Sequence, residues 1–230
     1  MKLKISNELL KVIPSFNVSC YVFETKTKND ELSLSSKLTN AFENITKEYQ
    51  ALYKLEDVTK IEKIKITRDG YKALGKDPSH TRAACEALVR RILKNGQIYR
   101  LGDLIDIGNY LSIKLMKSIC MVDFDKIKGD IYIRVGKSSD EYYGINRGRI
   151  NVENIPLYTD DESPFGNPTS DTLRTAITNE TKNVCIMLIN FDSSSTASDE
   201  DILVSTLKQY LKITKLEKIN YEVCDIYDER

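Results

Sequence analysis

After one opening strand, apolar residues recur at helical spacing to about residue 118; beyond that the chain turns to short strands, and no Gly/Pro-rich linker separates the regions. A helix buries one stripe and a strand one face, so a chain that changes period without a break must pack both kinds of element on a shared core. In "VSCYVFET", Val18, Cys20 and Val22 fall on one side and Ser19, Tyr21 and Phe23 on the other, the alternation of a strand. "SSKLTNAFENITKEYQALYKL" sets Leu38, Phe42, Ile45, Tyr49 and Leu52 at helical intervals. Following "GKDPS", a helix carries Cys85, Leu88, Val89 and Ile92 on its apolar stripe, stops at Asn95-Gly96, and sets Arg82, Glu86 and Arg90 on the opposite face.

The next helix, "LGDLIDIGNYLSIKLMKS", turns Leu104, Ile107, Leu111 and Leu115 inward. Gly108 within it lowers helix stability by about 1 kcal/mol relative to alanine, so a packed backbone or a ligand nearby requires the missing side chain. "GDIYIRVG", "EYYGINRG", "IPLYTD" and "NVCIMLINF" read as strands. A serine-rich loop and a helix capped by Ser198 follow, and "KINYEVCDI" closes the chain as a strand. The expectation is one mixed α+β domain over residues 1–230.

Composition excludes more chemistry than it declares. Five scattered cysteines, never closer than 35 residues, fit no zinc knuckle or CxxC pair and read as reduced core thiols. One histidine, His80, rules out a multi-histidine metal site, and neither GxxxxGK[ST] nor GxGxxG occurs. No cofactor and no metal is called for. The N-terminus lacks a signal-peptide core and no apolar run reaches membrane length, so the expected location is cytoplasmic, without a membrane partner. Net charge is zero, yet residues 60–100 carry a net +7 and residues 151–201 a net −8. Such asymmetry steers a polyanion to one face, or is simply clustered solvated charge.

The least ordinary run is "PFGNPTSDTLRTAIT", residues 164–178, between an acidic turn-rich segment and the apolar "NVCIMLINF". Read together, "RDGYKALGKDPSHTRAACEALVRRILKNG", "LIDIGNYLSIKL", "DFDKIKGDIYIRVG" and "PTSDTLRTAITNETKNV" occur in an order that resembles the B3/B4 domain, the editing domain of the bacterial phenylalanyl-tRNA synthetase beta subunit. The resemblance is stronger to free-standing B3/B4 proteins. It spans residues 68–191, with residues 1–67 and a C-terminal helix and strand, 198–226, packed on that core.

The resemblance implies an α+β fold with a central β-sandwich of unusual topology flanked by helices. It also implies a tRNA partner, met at its aminoacylated 3′ end, and no DNA. The implied reaction is hydrolysis of the ester on mischarged tRNA, in trans. No aminoacylation domain is present, so ligation does not transfer. Two departures stand out: Cys120 occupies the position of the synthetase's editing histidine, and Met187 that of its editing glutamate. The alternative is therefore a non-catalytic module that binds tRNA or an amino acid.

Under the editing reading, Asp171 orients the water or the substrate amino group, with Thr169 and Ser170 as hydroxyl donors at the ester. Arg174, Thr175, Asn109, Ser112 and Cys120 are the candidate substrate contacts, and Arg68, Lys72, Arg82 and Arg90 the candidate tRNA-phosphate contacts. Each has a plainer reading. Asp171 can cap a turn, Arg174 can pair with an acidic neighbour, Asn109 can bridge a helix to a strand, and Arg82 and Arg90 can pair on the helix surface.

Overall fold

The alternation in residues 17–25 divides the molecule's interior in two. A computed structural model describes residues 1–225. The chain opens with β1 (Leu3–Ser6), α1 (Asn7–Val12) and β2 (Asn17–Thr25), then runs through α2 (Ser36–Leu52), α3 (Glu62–Ala73), α4 (Ala84–Asn95) and α5 (Asp103–Leu115). Strands follow: β3 (Ile119–Asp123), β4 (Ile131–Val135), β5 (Tyr143–Gly144), β6 (Gly148–Arg149), β7 (Pro156–Thr159), β8 (Pro164–Asn167), β9 (Ser170–Asp171) and β10 (Asn183–Asn190). The last elements are α6 (Thr196–Tyr210), β11 (Ile213–Ile219) and β12 (Tyr221–Cys224).

One sheet has the order β11-β2-β10-β3, antiparallel throughout. The other has the order β12-β1-β4-β7-β8-β9, in which β1 runs parallel to both of its neighbours. Val18 and Cys20 of β2 join Val122, Cys185, Met187, Ile133, Leu157 and Phe165 in the core between the sheets. Tyr21 and Phe23 point the other way, to a second core with Val184, Ile186 and Leu188 under Phe42, Ile92, Leu104 and Leu111 of the helices. The result is a helix–sheet–sheet stack. Because β10 is apolar on both faces, it feeds both cores, and each fully buried Leu or Ile there contributes about 1.5–3 kcal/mol.

Local signals set the helix ends. Ser35 Oγ accepts from the Leu38 amide at the start of α2. Gly96 ends α4 in the left-handed region at φ 70°, where a side chain would be strained. Inside α5, a Cβ at Gly108 would lie 3.3 Å from the Met121 sulfur, so close packing on β3 accounts for that glycine.

Three expectations need correction. Helix α6 begins at Thr196 rather than after Ser198, and Ser195 Oγ donates to Asp199 instead of Ser198 capping the end. "KINYEVCDI" is not one strand: it turns after Ile219 and contributes to both sheets, with Ile226 outside the described residues. Glu86 does not sit on a solvated face; it is 1% exposed. Among the described residues, no helix is long and apolar enough to cross a membrane.

Candidate active site

Strand β9 is two residues long, and its short hairpin with β8 turns Asp171 toward the interior of the sandwich. Asn167 makes this turn: its Oδ1 accepts from the amides of Thr169 at 2.8 Å and Ser170 at 3.1 Å. Asp171 as a residue is partly exposed, but its carboxylate is turned inward against Gly166 and Cys120. A Cβ built on Gly166 would stand 3.0 Å from Asp171 Oδ1, 3.2 Å from Cys120 Sγ and 2.7 Å from Tyr158 Cδ2. The glycine is thus the gap into which the carboxylate fits.

Burial pushes the Asp171 carboxyl up to about 7, a shift that a hydrogen bond from the Cys120 thiol only partly offsets. No Lys or Arg among the described residues pairs with it. The groups that do surround it are Cys120, Tyr142 and Tyr158. Burial, then the Asp171 charge, raises the Cys120 thiol well above its usual value. Burial raises Tyr142 and Tyr158 as well. Tyr158 Oη is fully buried and has no hydrogen-bond partner among the described residues. A carboxyl near 7 among neutral groups can exchange a proton at physiological pH, or receive a cation when ionised.

The structure brings only some of the expected residues to this point. Ser170 adjoins Asp171, and its carbonyl accepts from Tyr142 Oη. Thr169 is buried, its Oγ1 sharing a hydrogen bond of 3.1 Å with Tyr71 Oη. Thr175 is fully buried; its carbonyl accepts from the Asp123 amide and its Oγ1 is unpartnered. Arg174 turns to Asp160 at 2.8 Å and to the carbonyls of Lys126 and Ser163, which anchors the loop. Asn109 and Ser112 belong to α5, on the helix-covered face of the β3 sheet, away from the face that carries Cys120. Ser112 Oγ donates to the Lys117 carbonyl at 2.8 Å.

The phosphate candidates prove to be one another's neighbours. Arg68 and Arg90 reach Glu86 at 2.9 and 2.8 Å, and Arg82 reaches it at 3.4 Å. Three guanidiniums on one buried carboxylate explain how Glu86 is tolerated inside, and the group retains an excess of positive charge. Lys72 pairs with Asp69 at 3.3 Å. His80 is exposed beside Asp77.

Sequence reasoning missed Tyr142, Tyr158, Tyr71 and Gly166. Only Gly166 carried a local signal, a glycine in a strand interior, which marks a close approach. A surface cleft of about 430 Å³ opens elsewhere, between Pro14–Val18, the start of α6 and the β11–β12 turn. Its Lys218 is held by Glu200 at 2.7 Å.

An antiparallel and a mixed sheet stacked under a helical layer, enclosing a carboxyl, a thiol and tyrosines, make this an α+β sandwich protein with a buried polar centre. The family profile described as B3/4 domain matches residues 66–209, and the chain belongs to that family. No curated protein matches it. Among solved structures it is similar to an N-terminal fragment of the phenylalanyl-tRNA synthetase beta-subunit from Pyrococcus horikoshii, at 13% identity and a TM-score of 0.51. That likeness covers 98% of this chain but 52% of the fragment, so the chain spans about half of that relative, and it speaks to the fold.

Proposed function

We propose that this protein hydrolyses the ester of mischarged aminoacyl-tRNA in trans. The observation that carries the reading is the Asp171 carboxyl: buried, without a cationic partner among the described residues, raised to about 7, and set in the 168–175 segment. In its ionised form it orients a water and takes its proton as the oxygen adds to the ester carbonyl. The proton then passes to the ribose oxygen as the acyl–oxygen bond breaks. The ester is already activated, so positioning, which supplies up to about 7–11 kcal/mol in ideal cases, does most of what is needed. Cys120 is a neutral thiol beside Asp171, kept protonated by burial, and not a nucleophile.

The test is deacylation of a panel of matched and mismatched aminoacyl-tRNAs, non-protein amino acids included, by the protein and its Asp171→Ala variant. Cleavage of one ester above the spontaneous rate, lost in the variant while tRNA binding survives, is the expected result. No cleavage across the panel overturns the reading.

A further inference from the structure

The Asp171 segment is bordered by a hairpin that no site assignment has used. Among the described residues, strands β5 and β6 pair only with each other, with Tyr143 directly opposite Arg149. Asn146 at φ 56° and Gly148 at φ 67° shape the turn that carries Arg147. One backbone and one side-chain hydrogen bond fasten the hairpin to the site: the Ile145 amide donates to the Asp171 carbonyl at 3.0 Å, and the Tyr142 phenol just before β5 donates to the Ser170 carbonyl. Its outer surface is of the opposite character. Tyr143 is 59% exposed, and Arg147 and Arg149 are exposed with no acidic partner among the described residues. By contrast, Arg68, Arg82 and Arg90 converge on Glu86 and Arg174 is anchored to Asp160.

An exposed aromatic ring in register with an unpaired guanidinium, with a second guanidinium at the adjoining turn, is a surface for a single strand. An unpaired base stacks on the phenol whatever its identity, and planar guanidiniums take the phosphates on either side. Duplex offers no free base face to such a ring. Resting on the tRNA reading above, we infer that the β5–β6 hairpin binds the unpaired 3′-terminal nucleotides of tRNA, Tyr143 stacking a base and Arg147 and Arg149 contacting phosphates, so that the terminal ribose is delivered to Asp171.

The experiment measures the affinity of the full chain for tRNA and for the same tRNA trimmed of its unpaired 3′ nucleotides, across a salt series. The variants are Tyr143→Ala, Tyr143→Phe and the double variant Arg147→Ser/Arg149→Ser. All three positions are exposed, and a thermal melt checks that the variants fold. Tyr143→Ala is expected to weaken binding of intact tRNA about 5- to 100-fold, with Tyr143→Phe restoring it. The arginine variant should lower the slope of log affinity against log salt by about 1.4, at roughly 0.7 per contact. Trimmed tRNA should bind weakly to every form. Intact tRNA bound equally by all variants, or trimmed tRNA bound as well as intact, overturns the hairpin's role and leaves the tRNA reading standing. If the unaltered protein binds no tRNA at all, both fall.

Discussion

Cys120 and Met187 stand opposite each other on β3 and β10, in register and buried between the two sheets. Met187 is paired on its other side with Cys20 of β2, so a row of soft, uncharged side chains crosses the floor beneath Asp171. By resemblance, these two positions hold a histidine and a glutamate in the synthetase domain. Here the buried carboxyl, Asp171, lies on the other sheet, in β9.

Cys120 is therefore expected to be chemically silent. Its thiol is raised well above the ordinary value by burial and by Asp171, so it carries no appreciable thiolate near neutral pH. Alkylation followed by mass spectrometry should find it unmodified in the folded protein and modified in denaturant. Cys120→Ser, which keeps a donor for Asp171, should retain deacylation within a few-fold.

Asp171 ties activity and stability to pH in opposite directions. Its folded value of about 7 is above the ordinary carboxyl range, so the folded state holds a proton that the unfolded chain has released. Stability from this group is complete at the acid end and is lost as pH rises from about 4 toward 7. Under the proposed reaction, which draws on the ionised form, deacylation should rise through the same upper limb. Asp171→Asn should flatten both profiles, read by denaturant melts and initial rates between pH 5 and 8, and should be the more stable protein at the alkaline end.

Gly166→Ala tests the gap that admits the carboxylate. The added methyl meets Tyr158, Asp171 and Cys120 together, so at least one must move. The strain is expected to lower stability by about 1–3 kcal/mol in urea denaturation. A displacement of Asp171 of about 1 Å would lower the deacylation rate about 100-fold.

Glu86→Gln removes the shared partner of Arg68, Arg82 and Arg90. Three guanidiniums would then face one another without compensation, and stability should fall by about 2–4 kcal/mol, with partial recovery in high salt. Chemical denaturation at two ionic strengths gives both numbers.

What could be read from the sequence was whatever is written locally. The alternation of β2 assigned Cys20 and Phe23 to opposite cores, the stripe of α5 was read correctly, and Gly96 ended α4 where expected. Glu86 was misplaced because its burial depends on Arg68, which lies one helix earlier. The split of residues 218–224 between two sheets follows from partners far away in sequence, β2 and β1, which no local pattern names. For the site, "PTSDTLRT" marked Asp171, but the tyrosines around it come from β7 and the β5 edge and meet it only in three dimensions.

Strand β1 lies between β4 and β12, with Leu3 aligned to both Ile131 and Tyr221. A ribosome making this chain therefore releases the centre of a three-strand array well before either of its flanks. Until Tyr221–Cys224 emerges, the nascent protein carries an unpaired strand edge, and parallel pairing across so long a stretch of sequence is slow to form. Assembly of the second sheet in this sense waits on β12, and loss of that strand would leave a sticky seam rather than a smaller version of the same molecule.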